Sequence, residues 1–297
     1  MDGILCVNKP QGFTSFDVVA KLRGITKTRR IGHSGTLDPM ATGVLPVLIG
    51  TATKACDLMP DQDKKYRARL RLGVTTDTQD MTGNILTQRD TRPTQAEILQ
   101  AVEGFRGEGM QIPPMYSAIK IGGRKLCDLA REGITVERPP RPITVYDISV
   151  LSMEGDEVDF DVHCSKGTYV RTLCHDIGEK LGCGAAMVSL ERTMACGISI
   201  DQCLTLEEIQ ALADTGKLEE ALLPVESAFK ELPEVRLGNL QFGQFVNGVK
   251  LDLERISCPE AKGNLRVTGE DGAFGGLAYR DEEEGKLRIR KLFWGRQ

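Results

Sequence analysis

The chain has 297 residues, of which 40% are hydrophobic and 27% charged, with a formal net charge of −4. That length allows one large domain and a small one, and the composition excludes a disordered or fibrous chain. No apolar run reaches membrane-spanning length and the N-terminus lacks a basic-then-apolar leader, so a soluble protein away from the membrane is expected.

In chain order, Ile4–Val7 predicts a short strand and Asn8-Lys9-Pro10-Gln11-Gly12 a turn. Ser15 is the expected cap of a helix to about Leu22. Lys21, Arg23, Lys27, Arg29 and Arg30 then form a run without an acid. From Arg30 to Val47 the chain passes through a loop with three glycines into an apolar run. Glycine permits positive φ and close approach of another group. Pro39 fixes its own φ and pushes Asp38 out of the helical region. One carboxylate, Asp38, is thereby displayed on a stiff turn, with His33 five residues before it. Spacing by itself fits an ordinary Asp-Pro turn. A phosphate-binding loop would end in Gly-Lys-Ser/Thr, and zinc would need more ligands than His33; the loop offers neither.

Lys64–Leu72 alternates strictly. Tyr66, Ala68, Leu70 and Leu72 share one face; Lys65, Arg67, Arg69 and Arg71 share the other. A half-buried strand with a cationic outer face is expected. Periodicity makes Tyr66 a core aromatic, although a tyrosine at a strand's end can also offer its ring to a base. Thr94-Gln95-Ala96-Glu97 is a capping box that opens a helix. Pro113-Pro114 and Gly122-Gly123 mark a stiff loop and a turn, and Leu126–Ala130 a short helix. Val158–Cys164 alternates as a strand with His163 on its polar side. Thr168 is the expected cap of a helix with Tyr169, Leu173, Ile177 and Leu181 on one face, ended by Gly182. Helical position alone makes Tyr169 a core residue and Arg171 a surface charge. Thr205-Leu206-Glu207-Glu208 is another capping box, opening an acidic helix to about Ala213. Composition shifts near Leu232-Pro233. Beyond it Gly238–Val246, Leu265–Gly269, Gly275–Tyr279 and Leu287–Phe293 predict a small β-barrel. Lys286, Arg288, Arg290, Lys291 and Arg296 make its tail cationic. The nine cysteines are an odd count without a Cys-x-x-Cys pair, which suggests reduced thiols in the cytoplasm.

Gly32-His33-Ser34-Gly35-Thr36-Leu37-Asp38-Pro39, with Ala41-Thr42-Gly43-Val44-Leu45, resembles the signature loop of the bacterial tRNA pseudouridine-55 synthases, the TruB type. The Val-Asn-Lys-Pro-x-Gly-x-Thr-Ser opening, the Lys64-x-Tyr66-x-Ala68 pattern and Cys164–Arg171 are similar to further motifs of that family. The resemblance implies that Asp38 is the catalytic nucleophile and that Tyr66 stacks on the target uracil. It implies that Tyr169 and Arg171 line the active site, with Arg171 paired to Asp38. Leu190 would pack against the base, and His33 would occupy the space near the extruded nucleotide. A guanidinium beside a carboxylate favours the ionised form that a nucleophile requires. Lys9 is assigned no chemistry, because a turn explains it. The chain departs from the family at Leu190-Glu191-Arg192: Leu-Arg-Arg is usual there, and Glu191 replaces the first arginine.

The implied reaction is isomerisation of uridine to pseudouridine at position 55 in the T-loop of tRNA, without redox or hydrolysis and hence with no cofactor and no metal. A cytoplasmic monomer is expected, acting on tRNA with no protein partner. The expected fold is α+β: a mixed, largely antiparallel sheet flanked by helices. The catalytic domain would span 1–231 and a PUA-like RNA-binding domain 232–297. The basic runs would meet phosphates despite the negative net charge. Two other functions stay open. One is a non-catalytic RNA-binding or RNA-folding protein on this fold; the other is a guide-RNA-dependent synthase of the archaeal and eukaryotic type.

Overall fold

The computed structural model describes residues 1–59, 63–90 and 93–294; Arg296 of the cationic tail lies outside them. The chain opens with β1 (Gly3–Lys9), α1 (Ser15–Thr26), β2 (Ile31–His33), β3 (Thr42–Ile49) and β4 (Lys64–Leu72). A hairpin of β5 (Val74–Thr76) and β6 (Ile85–Gln88) leads to α2 (Gln95–Glu103) and β7 (Gly107–Gln111). A second hairpin, β8 (Lys120–Ile121) with β9 (Arg124–Lys125), precedes α3 (Leu126–Arg131). Then come β10 (Arg141–Glu154), β11 (Glu157–Cys164), α4 (Val170–Lys180), β12 (Ala185–Ala195), β13 (Ile198–Ser199) and α5 (Leu206–Asp214).

Nine of these strands form one sheet in the order β1-β3-β12-β4-β11-β10-β7, with β2 on β3 and β13 on β12. Within it β3 and β12 run parallel, joined at Thr42–Glu191 and Gly43–Arg192, and the other pairs are antiparallel. This is the expected α+β arrangement. β1 and β3 read as nearly unbroken apolar runs because both their faces are covered. One face packs with Val18, Leu22 and Ile209 of α1 and α5. The other packs with Phe229 and with residues of the C-terminal sheet. β4, covered on one face only, alternates: Tyr66, Ala68, Leu70 and Leu72 pack with Leu173 and Ile177 of α4.

Three local expectations are corrected. Thr14, not Ser15, caps α1, through a capping box with Asp17, and the helix runs on to Thr26. Tyr169, not Thr168, is the cap position of α4, and it makes no side-chain capping bond. The cationic face of β4 is not free. In the β4–β11 register Arg67 stands opposite Asp161 and Arg69 opposite Asp159, and these pairs close to 3.0 and 2.8 Å. Arg71 binds Glu157. The alternating acids of β11, 86 to 94 positions away in sequence, neutralise these arginines.

A separate five-stranded sheet follows, built from β14 (Glu234–Leu237), β15 (Leu251–Asp252), β16 (Leu265–Gly269), β17 (Phe274–Asp281) and β18 (Lys286–Leu292). Its order is β14-β16-β17-β18-β15, a curled half-barrel with Val235, Phe245, Val267 and Leu287 in its own core. The run Gly238–Val246 is not a strand but helix α6 (Asn239–Val246). Phe242, Phe245 and Val246, spaced by three and one, fit a helical face rather than a strand's alternation. Phe274, Leu277 and Phe293 turn towards the nine-stranded sheet and pack with Phe229, Val44 and Leu48. Two of the tail cations are neutralised, Lys286 by Asp252 and Arg288 by Asp281. Arg290 and Lys291 are exposed and have no ion pair among the described residues.

Candidate active site

The loop from His33 to Ala41 is held from three sides. Because Thr14 takes the capping role, the Ser15 hydroxyl is free to accept from the Leu37 amide at 2.9 Å. From β1, the Lys9 ammonium donates to the carbonyls of Phe13, Pro10 and Pro39 at 2.5, 3.0 and 3.4 Å. The Gly12 amide also donates to Pro39 O. From β12, Arg192 donates to Val44 O at 2.7 Å, Gly35 O at 3.0 Å and Thr36 O at 3.5 Å. Gly43, at φ 100°, allows this approach: a Cβ there would lie 2.2 Å from the Arg192 carbonyl. The turn that displays Asp38 is therefore braced by residues from 22 to 157 positions away in sequence.

Asp38 meets Arg171 across the start of α4, with Oδ2 3.0 Å from the guanidinium. The arginine is 6% exposed, not a surface charge, whereas the Asp38 side chain keeps 38% of its surface. Arg171 also donates to the Tyr116 carbonyl at 2.8 Å and lies 3.7 Å from Asp80 Oδ2. Asp80 is buried and held by Thr78 and by the Thr82 amide, so Arg171 is fixed between two carboxylates. Burial pushes the Asp38 carboxyl above its ordinary value; Arg171 and Lys9 pull it down, and Asp80 pushes it up. The arginine thus acts in the expected direction, but burial outweighs it. Burial also brings the Lys9 ammonium down to about 8, against the pull of Asp38.

Tyr66 is 7% exposed, and burial drives its phenol up to about 12. Tyr169 is half-buried at the head of α4, its ring 6.0 Å from the Arg171 guanidinium. The Gln111 side-chain amide clamps its backbone, donating to Tyr169 O and accepting from Tyr169 N. Leu190 is buried among Tyr66, Leu37 and Ala41. His33 is half-buried on β2, its Nδ1 without a hydrogen-bond partner. Burial and the Arg192 charge hold its imidazole below the usual value, in the neutral form. A cleft of about 430 Å³ runs beside the loop, lined by Gln11, Met40, Thr42, Leu190 and Glu191.

Of the residues read from sequence, Asp38 and Arg171 are in direct contact, Tyr169 flanks Arg171, and Tyr66 and Leu190 share one apolar cluster with the loop. In sequence Lys9 is assigned no chemistry and Ser15 only a capping role, and neither Asp80 nor Arg192 is singled out. The Asn-Lys-Pro turn was visible in sequence, but nothing local says that its lysine is wholly buried. Among the described residues no cluster of three or more metal-ligating side chains occurs. The chemistry the arrangement supports is that of one carboxylate nucleophile beside a fixed cation and an aromatic wall.

Residues 23–170 match the model of the TruB family pseudouridylate synthase (N terminal domain). Residues 171–230 match that of the tRNA pseudouridylate synthase B C-terminal domain. The chain is similar to the tRNA pseudouridine synthase B of Clostridium tetani, 44% identical over 97% of this chain and 98% of the relative. It is 43% identical to that of Salmonella arizonae, over 98% of this chain and 94% of the relative. Among solved structures, it superposes on a chain of a Cbf5-Nop10-Gar1 complex with a TM-score of 0.78 and 27% identity. That match covers 98% of this chain and 85% of the other.

Proposed function

The chain belongs to the TruB family of pseudouridylate synthases, and on that premise we propose that Asp38 is the nucleophile that converts uridine to pseudouridine at position 55 of the tRNA T-loop. It is an isomerase that acts on tRNA. The N1–C1′ bond breaks, the base turns, and C5 bonds to C1′; N1 takes up a proton and C5 releases one, so no atom is gained or lost. The observation that carries the nucleophile assignment is the 3.0 Å contact between Arg171 and the half-exposed Asp38 carboxylate. Asp38 adds to ribose C1′ or to uracil C6, and either route leaves negative charge on the base before C5 bonds. The target nucleotide leaves its stack at a cost of a few kcal/mol. Tyr66 would stack on it, with Tyr169 and Leu190 as walls and His33 beside the extruded nucleotide.

In this reading residues 1–231 are the catalytic domain and 232–297 an RNA-binding domain, in a cytoplasmic monomer that works without a protein partner. A non-catalytic RNA-binding protein has no use for a carboxylate turned towards phosphates. A guide-dependent enzyme would be inert on its own. The test is incubation of the purified protein alone with unmodified tRNA, scored for pseudouridine by position. Pseudouridine at 55 alone is the expected result. Binding without modification would overturn the assignment, and modification only with added guide RNA would place the chain with the guide-dependent enzymes.

A further inference from the structure

Arg192 presents a problem of electrostatics. Its side chain is completely buried, yet among the described residues no carboxylate lies within ion-pairing distance of it. A buried charge without a counter-ion is destabilising, and an apolar side chain of similar volume would fill the space without that cost. It donates to three backbone carbonyls, of Gly35, Thr36 and Val44, two of them in the loop that carries Asp38, and it also interacts with the Tyr66 phenol. These dipoles hold the guanidinium in place but leave its net charge uncancelled. Across the β12–β4 ladder Arg192 stands directly opposite Tyr66. Its charge also bears on His33 and Lys64, at both of which it adds to the effect of burial.

We propose that Arg192 is a positioning residue of the isomerisation, a fixed cation that braces the Asp38 loop and, from behind Tyr66, stabilises the negative charge that develops on the uracil. The inference rests on the reading that the target base lies against Tyr66. When the N1–C1′ bond breaks, its electron pair leaves with the base, and addition at C6 likewise puts charge on the uracil. A cation already clamped by carbonyls needs no reorganisation as that charge appears, which is where preorganised electrostatics act. Arg192 never touches the substrate; it acts through the loop and through the field. This also separates it from Arg171, which contacts the nucleophile itself.

The test compares Arg192→Lys, which keeps the charge and loses the fork, with Arg192→Gln, which keeps N–H donors and loses the charge. Arg192→Met serves as the neutral variant should Arg192→Gln not fold. Folded fraction is measured by circular dichroism, tRNA affinity by filter binding, and chemistry by single-turnover pseudouridine formation at saturating tRNA. The expected result is affinity within about three-fold of wild type in all variants. The single-turnover rate of the neutral variant should fall about 30-fold or more, and Arg192→Lys should recover at least ten-fold of that loss. A purely structural role would lower the melting temperature of every variant but leave the rate per folded molecule within three-fold, and that outcome overturns the proposal. So does a lysine variant as slow as the neutral one. If wild-type protein makes no pseudouridine at all, the proposed function fails first; if it does and the neutral variant does equally, only this inference fails.

Discussion

The Arg171 guanidinium sits 3.0 Å from the Asp38 carboxylate, yet the carboxyl still holds its proton more tightly than an ordinary aspartate. Burial opposes the ion pair and wins. A carboxylate that is partly desolvated and ion-paired at once is suited to the proposed attack on an electrophilic carbon, because a less solvated anion is more reactive. Substitution of Asp38 by Asn should abolish turnover while leaving tRNA affinity within a small factor, because the amide keeps the shape without the anion. Arg171 keeps Asp80 and the Tyr116 carbonyl as partners in that variant, so it should melt no lower than wild type at pH 7. Substantial residual turnover, or a marked drop in melting temperature, would contradict this.

The pH dependence follows from the same shift. Asp38 has a folded value above its unfolded one, so its contribution to stability is complete below the ordinary value of 3.8 and is lost as pH rises through the folded value. Activity runs the opposite way, since it needs the ionised form. Single-turnover rate at saturating tRNA should therefore decline on acidification at a pH above that of an ordinary aspartate. Asp80→Asn removes the carboxylate that pushes Asp38 up, and should move this limb to lower pH. A limb that does not respond to Asp80 would assign it to another group.

Lys9 binds three carbonyls of the 10–13 turn and of Pro39, one residue past Asp38. Lys9→Met should lower the single-turnover rate by about ten-fold or more, by loosening the loop, while tRNA affinity changes little. Burial brings this ammonium to about 8, so wild-type turnover should also sag above that pH as the donor loses its charge. An unchanged rate in Lys9→Met would return the residue to the role of a plain turn.

Salt dependence should separate paired cations from free ones. Arg67 and Arg69 are engaged by Asp161 and Asp159, so Arg67→Ala should leave the slope of affinity against salt unchanged. Arg29, Arg290 and Lys291 are exposed, without an ion pair among the described residues. Loss of any one that meets a phosphate should reduce the slope by about one. Equal slopes for Arg67→Ala and Lys291→Ala, both below wild type, would show that the β4–β11 pairs open on binding.

Removal of the chain after Glu231 should not leave an intact catalytic part. Leu237 and Phe245 stay within the C-terminal sheet, but Phe274, Leu277 and Phe293 cover Phe229, Val44 and Leu48. Phe229 stacks on Phe274 and lies 5.8 Å from Phe293. The truncated chain should melt about 10 °C lower or aggregate through the exposed apolar face. At low temperature the fraction that folds should still make pseudouridine, since Asp38, Tyr66, Arg171 and Leu190 all precede the cut. Calorimetry with a single-turnover assay at 10 °C measures both; an unchanged melting temperature would show that the sheet is only tethered.

Much of this protein is written in local pattern. The strict alternation at 64–72 became β4, and the capping boxes at Thr94 and Thr205 became the starts of α2 and α5. A strand's face and a helix's cap depend on residues two to four positions apart, so the sequence determines them directly. The placement of one carboxylate on an Asp-Pro turn was equally local, and motif resemblance supplied its partner Arg171. Tertiary structure decided the rest, because it turns on pairings between distant segments. Whether Arg67 is free or neutralised depends on β11 lying beside β4 in one register. Whether Lys9 and Arg192 are surface charges or buried braces depends on which carbonyls the fold brings to them, from the turn after β1 and from the loop before β3. The environment of Asp38 was decided this way too: motif resemblance named its counter-ion, but the burial that opposes the counter-ion exists only once the sheet and α4 close around it.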